Sequence, residues 1–526
     1  MERPDDVVEK CLGLARGQTP LPAADGDRRS WGDARMSLGA VVVRGGTLVL
    51  SGQVIKVILL LIGAAVLGRV LGPEEFGLIA MVTVITGLGE LFRDFGLSSA
   101  AIQAKSLNRS QMSNLFWINS GMGLFLASCA TLFAPLVGDM YGDSRIPEIM
   151  VVISAAFVFS GIQTQFQVDL TRRLMFPALI VSEVVSQALG LVVAIGLALA
   201  GFGYWSIALQ PVAYAAILCI IRCVWSPWKP GWPTRTGGTL IPLLRFGWNL
   251  GIAQLLNYIS LNSPTLIIGT RFGPTDAGLY SRLYQLVGAQ MNQILAPLTN
   301  AVFPVLSRID SDRRYNAAIR RINIPVSYAM VFGLIFVATN SRPFVELVLG
   351  DGWSGGSAML SIVSIGLVFQ SFTFVGYWVF LSKGISGSLL RYNLVTKSVA
   401  LSLAGFGAFQ GALGVAFGYA LGLALAWPIC WWWLGRVGSI ESLPIFVEEC
   451  RVIIVISVCA LVGKWATNLI NFESSLASLL ISGSVMLATA IFISAAVPVV
   501  RADRRAMKEI IALFREGRGN ATGSSL

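Results

Sequence analysis

The sequence predicts an all-α polytopic membrane protein with about fourteen transmembrane helices, arranged as two pseudo-twofold-related six-helix bundles plus two C-terminal helices. Three observations predict it: scarce charge, apolar runs about twenty residues long that recur from Val49 to Val500, and an internal repeat. Only 13% of the 526 residues are charged and 55% are hydrophobic, against roughly 25% charged in a soluble domain. Each apolar run can cross a hydrocarbon core of about 30 Å. Backbone amides must be paired inside that core, so runs of this length are helices.

The expected spans are 49–68, 77–97, 114–137, 149–168, 177–199, 202–224, 247–269, 277–304, 322–340, 357–381, 391–410, 413–434, 452–470 and 476–499. Alternate loops differ sharply in charge. The N-terminal segment, the even loops and the tail hold thirty Lys and Arg, with Arg222 and Arg391, at the ends of their spans, counted in the adjoining loops. The odd loops hold four: Arg69, Arg145, Arg271 and Arg342. Cationic loops stay cytoplasmic, which predicts a multi-pass inner-membrane protein with both termini in the cytoplasm. The net charge of +11 therefore reports membrane orientation, and no nucleic-acid partner is expected.

The repeat shows in Gly68-Arg-Val-Leu-Gly72-Pro73-Glu-Glu-Phe-Gly77-Leu78 and Gly269-Thr-Arg-Phe-Gly273-Pro274-Thr-Asp-Ala-Gly278-Leu279, both G-x-x-x-G-P-x-x-x-G-L. Gln53 and Gln254 match at the same offset, and Gly138-Asp139-Met-Tyr141 answers Gly350-Asp351-Gly-Trp353. A unit of six spans enters the membrane from one side in both copies, as in transporters built from two parallel halves. The expected organisation is a disordered cytoplasmic extension (1–36), an N-terminal bundle (37–224), a Pro/Gly-rich basic linker (225–245), a C-terminal bundle (246–434), two further helices (435–500) and a basic cytoplasmic tail (501–526). Met36 offers a second start position.

Composition excludes several chemistries. Histidine is absent, which removes His-dependent triads and imidazole metal sites. The seven cysteines form no C-x-x-C pair and read as packing residues. No G-x-x-x-x-G-K-[ST] loop occurs. The sequence therefore predicts no metal, no cofactor and no enzyme.

The stretch GPEEFGLIAMVTVITGLGELFRDFGLSSAAIQAKSLNRSQMSNLFWIN from Gly72 resembles polysaccharide-repeat flippases of the multidrug/oligosaccharidyl-lipid/polysaccharide exporter superfamily. The likeness is to Wzx-like members of the exopolysaccharide and colanic-acid-type subgroup. Arg172, Arg173 and Phe176, and the Leu349-Gly350-x-x-Trp353 element, carry the same likeness, which runs from about Ser37 to Val500. It implies a central cavity and alternating access. The implied substrate is a polyprenyl pyrophosphate carrying one oligosaccharide repeat unit, flipped from the cytoplasmic to the periplasmic leaflet. Membrane lipids, a polysaccharide polymerase and a chain-length regulator are the implied partners. Alternatives are a multidrug or lipid II exporter of the same superfamily, and, from another class, a membrane polysaccharide polymerase or glycosyltransferase.

Ionisable and amide side chains within spans are the candidate site. In span eight, Arg282, Gln285, Asn292 and Gln293 follow helical spacing and form one polar stripe, suited either to sugar hydroxyls and phosphate or to interhelical bonding. Lys56, Gln53, Gln254 and Asn257 extend this set, with Gln53 and Gln254 expected face to face; Lys56 either meets the pyrophosphate or snorkels. Glu90, Arg93 and Asp94 are either a coupling-ion site or a self-neutralising local pair. Glu183 and Lys397 are a candidate gate across the bundles. Trp427 and Trp431–Trp433 read as an interfacial belt.

Overall fold

A computed structural model describes residues 38–94, 108–233, 241–438, 440–470, 474–505 and 507. The expected disordered extension and most of the tail lie outside these residues. Contacts group Leu48–Leu526 into one compact unit; Met1–Thr47 forms another, whose described part is helical.

Sixteen α-helices make up the described chain, with no strand among the described residues. In the first half these are α1 (Leu38–Val70), α2 (Pro73–Asp94), α3 (Arg109–Tyr141), α4 (Ile146–Arg172), α5 (Phe176–Leu199) and α6 (Tyr204–Trp225). The second half has α7 (Ile241–Phe272), α8 (Pro274–Tyr284), α9 (Gln290–Leu306), α10 (Asp312–Thr339), the short α11 (Ser341–Val348), α12 (Ser357–Ser382), α13 (Ser386–Gly407) and α14 (Ala412–Val437). Helices α15 (Ser442–Ile470) and α16 (Ser475–Ala496) follow. Among the described residues, ten helices are long and apolar enough to cross a membrane. Helices α7, α8–α9, α13 and α15 occupy the remaining expected positions. Many large apolar side chains on these helices face outward, among them Leu132, Phe133, Leu199 and Phe492. A surface of that kind is stable against lipid and not against water.

Equivalent helices pair in the same way in both halves. α3 packs on α4, α5 on α6 and α4 on α6; correspondingly α10 packs on α12, α13 on α14 and α12 on α14. Helices α15 and α16 pair with each other, and α15 also lies along α10.

The two copies of the Gly-Pro motif meet each other. Each opens a helix with Pro in its first turn, where the missing N–H is not needed, and the Gly273 cap has φ 85°, a conformation natural to glycine. α2 and α8 then cross at Gly77 and Gly278. A Cβ on Gly77 would lie 1.7 Å from the Pro274 carbonyl oxygen, and one on Gly278 would lie 1.8 Å from that of Pro73. The first motif glycines behave reciprocally: Gly68 lies under Leu349, while Gly269 lies under Met81 and Tyr141. Trp353 donates its indole N–H to the Gly68 carbonyl (2.7 Å) and packs edge-on against Phe76. Arg69 donates to the Leu347 carbonyl at 2.7 Å. These contacts close the two halves at the end where the Gly-Pro turns lie.

Candidate functional site

A cavity of about 500 Å³ lies between the halves, walled by α1, α2, α5 and α6 on one side and by α7, α8 and the turn after it on the other. Its wall is largely aliphatic, with Gln187, Gln210, Asn262, Arg282 and Gln285 among its polar groups. Such a pocket, apolar with a few convergent polar groups, is the usual form of a ligand site.

Arg282 comes from the third turn of α8. Its guanidinium carbon sits 4.5 Å from the Phe76 ring centroid, across the boundary between the halves. One Nη donates to Gln285 Oε1 at 2.7 Å, and the buried Nε has no partner. Among the described residues no carboxylate pairs with it. Arg282 is therefore a cation at the cavity wall, stacked, with donor capacity to spare.

The stripe expected along span eight does not run unbroken. Gln285–Ala289 is a π turn, which inserts one extra residue and re-phases the rest of the span. Arg282, Gln285 and Ala289 line the cavity, whereas Gln293 points to α1 and accepts from Gln53 (3.0 Å). Asn292 is half-buried and does not line the cavity. The expected Gln53–Gln254 pairing gives way to Gln53–Gln293, and Gln254 is exposed.

Lys56 binds Glu183 at 2.9 Å, and Glu183 also accepts from Arg222 at 3.0 Å. Gln187, one turn beyond Glu183, lines the cavity and donates to the Lys56 carbonyl at 3.4 Å. Glycines allow this approach of α1 to α5: Gly52 and Gly63 lie against Ile180 and Leu191. Glu183 is thus committed to its own half and does not meet Lys397, which donates to exposed Asn257 at 2.8 Å. The candidate gate is not formed here, because two nearer cations hold its carboxylate.

Glu90 and Arg93 form a local ion pair at 2.7 Å, and Arg93 also donates to Thr164 (2.6 Å) and to the Ser160 carbonyl (3.2 Å). The Asp94 side chain lies outside the described residues.

Two groups escaped sequence reasoning. Arg222 is inside α6 with its side chain 2% exposed, not in a loop; besides Glu183 it binds Ser182, Gln163 and Gln167. Its place three residues inside an apolar run was the available signal. Glu449 is fully buried and accepts from the indoles of both Trp427 and Trp431 at 2.6 Å. These two tryptophans are buried and do not form an interfacial belt; Trp432 is exposed. The thirteenth span was expected from 452, whereas α15 starts at Ser442 and takes Glu449 inside with it.

Residues 66–358, more than half of the chain, match the polysaccharide biosynthesis protein family. The chain belongs to that family. It is 25% identical to the lipopolysaccharide biosynthesis protein WzxC of Escherichia coli (strain K12), over 63% of this chain and 68% of that protein. It is also 25% identical to the succinoglycan biosynthesis transport protein ExoT of Rhizobium meliloti (strain 1021), over 66% and 70%. Among solved structures, the lipid II flippase MurJ in an inward closed conformation superposes with a TM-score of 0.65 at 14% identity, covering 86% of this chain and all of that one. An inward-facing multidrug MATE-family transporter of the MOP superfamily gives 0.56 at 14%, over 74% and 96%. At these identities the structural likeness establishes the fold: the polysaccharide biosynthesis family member is built on the scaffold of flippases and exporters.

Proposed function

We propose that this chain flips a polyprenyl-pyrophosphate-linked oligosaccharide repeat unit from the cytoplasmic to the periplasmic leaflet of the inner membrane, for surface polysaccharide synthesis. The observation that carries this reading is the cavity between two like-folded halves, with amides for sugar hydroxyls and the stacked cation Arg282 for phosphate. The family match and the names of the relatives support the polysaccharide pathway. The transporter scaffold favours transport over enzymatic catalysis.

On this reading the chain crosses the membrane fourteen times with both termini cytoplasmic. The Gly-Pro end is then periplasmic and is closed in the arrangement described. The headgroup enters from the basic side while its polyprenyl tail stays in lipid, and meets the cations at the cavity. The halves then rock about the pseudo-twofold axis and part at the Gly-Pro end to open the other side. A polymerase and a chain-length regulator consume the product.

Gene deletion with assay of surface polysaccharide and lipid-linked intermediates tests the reading. The expected result is loss of polysaccharide with complete repeat units held in the inner leaflet, restored by the wild type and not by well-expressed Arg282→Ala. Complete repeat units reaching the outer leaflet unpolymerised would overturn it in favour of a polymerase.

A further inference from the structure

Glu183 divides its carboxylate between two cations that are held very differently. Its Oε1 meets Arg222, whose side chain is 2% exposed and is fastened by Ser182, Gln163 and Gln167 as well. Its Oε2 meets Lys56, which is 29% exposed. Among the described residues Glu183 is the only partner of that ammonium. One cation is fixed and the other is free to change partners.

The geometry points to Glu183 as an internal stand-in for the substrate's pyrophosphate: it occupies Lys56 while the cavity is empty and yields it when the headgroup arrives. This inference rests on the flippase reading above and adds a residue to its binding cycle. Three features carry it. The first is charge: two cations share one carboxylate, so the cluster keeps one positive charge next to a largely aliphatic cavity wall, where an anion is drawn in. The second is that the exchange strands nothing. When Lys56 leaves, Glu183 remains on Arg222, so no buried charge loses its partner, which is the step that makes most buried pairs hard to break. The third is position. Lys56 lies one turn from the cavity-lining Leu60, and Glu183 lies one turn from the cavity-lining Gln187.

The competition is uneven in the right direction. A half-exposed ion pair contributes at most about a fivefold preference. A doubly charged pyrophosphate brings more charge and several acceptor oxygens to the same ammonium. Glu183 therefore keeps Lys56 from capturing small monovalent anions and holds it pointed at the cavity, yet gives way to the headgroup. The same carboxylate recaptures Lys56 as the headgroup departs, which favours release.

The test uses the full chain in lipid nanodiscs with inorganic pyrophosphate as the probe, measured by calorimetry at fixed salt. Glu183→Gln removes the competitor and is expected to bind pyrophosphate severalfold tighter than wild type, up to about fivefold. Glu183→Asp, which keeps a charge beside Arg222 but shortens the reach to Lys56, is expected to shift affinity the same way and serves if the amide variant fails to fold. In a Lys56→Ala background both gains should vanish, as a double-mutant cycle requires. Unchanged or weaker binding by the Glu183 variants, or a gain that survives without Lys56, overturns the proposal. So does an absence of binding by wild type and variants alike, and in that case the flippase reading still stands or falls on the deletion experiment.

Discussion

The Trp353 indole donates to the carbonyl of Gly68 at 2.7 Å, joining residues of opposite halves at a buried point. Beside this bond Gly68 makes room for Leu349, which lies on the space a Cβ would fill. Trp353→Phe keeps the ring and leaves the carbonyl unpaired, which costs about 1–3 kcal/mol against the closed arrangement. A shift of that size moves a two-state population about fivefold or more. The expected result is faster labelling of a cysteine placed at cavity-lining Thr83 by an impermeant thiol reagent added from the Gly-Pro side.

Arg282 works through a planar, stacked guanidinium with a fork of donors. Lysine keeps the charge but loses the fork and much of the stack over Phe76. Export by Arg282→Lys should fall at least about tenfold, close to Arg282→Ala, while Phe76→Leu loses only the stack, about 1 kcal/mol. Polysaccharide yield normalised to membrane abundance separates these. Equal activity of the lysine variant and wild type would leave Arg282 as a simple point charge.

Glu449 ties α15 to α14 through two indoles. Glu449→Ala leaves both buried N–H groups unpaired and should lower stability by about 2–4 kcal/mol, whereas Glu449→Gln retains an acceptor and loses much less. Thermal unfolding in detergent distinguishes the two variants; similar losses would mean that the carboxylate's charge, not its acceptor oxygen, holds the helices.

Between α3 and α4, Arg145 grips Asp143 (2.7 Å) and Glu74 (2.8 Å). The hydrogen bonds from Arg145 hold the Asp143 carboxyl below its ordinary 3.8. A carboxyl depressed in the folded chain adds stability above its unfolded value, and that contribution is lost as pH falls through the folded value. Because the group is partly open to solvent, the contribution is at most about 1 kcal/mol. The stability gap between wild type and Asp143→Asn should be flat from neutral pH down to about 5, narrow as pH falls below the unfolded value of about 3.9, and vanish once pH passes the depressed folded value. A gap that persists in acid would assign the effect to packing.

The membrane class and the position of nearly every helix were legible, because hydrophobic length and loop charge act locally. The doubling of the motif was legible too, since both copies use the same glycines for the same reason. What the sequence could not express was phase and partnership. The π turn at Gln285–Ala289 has no signature in residue type, yet it sends Gln293 to Gln53 and away from the cavity. Glu183 could be ranked as intramembrane, but its choice of Lys56 and Arg222 over Lys397 depends on how α5 leans on α1 and α6. Arg222 and Glu449 sat near the ends of apolar runs, where a shift of a few residues decides whether a charge counts as loop or interior.

At the α2–α8 crossing each half supplies a glycine and also the backbone that rests on it, with Gly77 against Pro274 and Gly278 against Pro73. Neither half holds the remedy for its own damage: a side chain gained at Gly77 can be accommodated only by a change near Pro274. The two descendants of the duplicated segment are therefore not free to diverge separately at these positions, and a hybrid carrying the first half of one relative and the second half of another inherits two surfaces that were never fitted together.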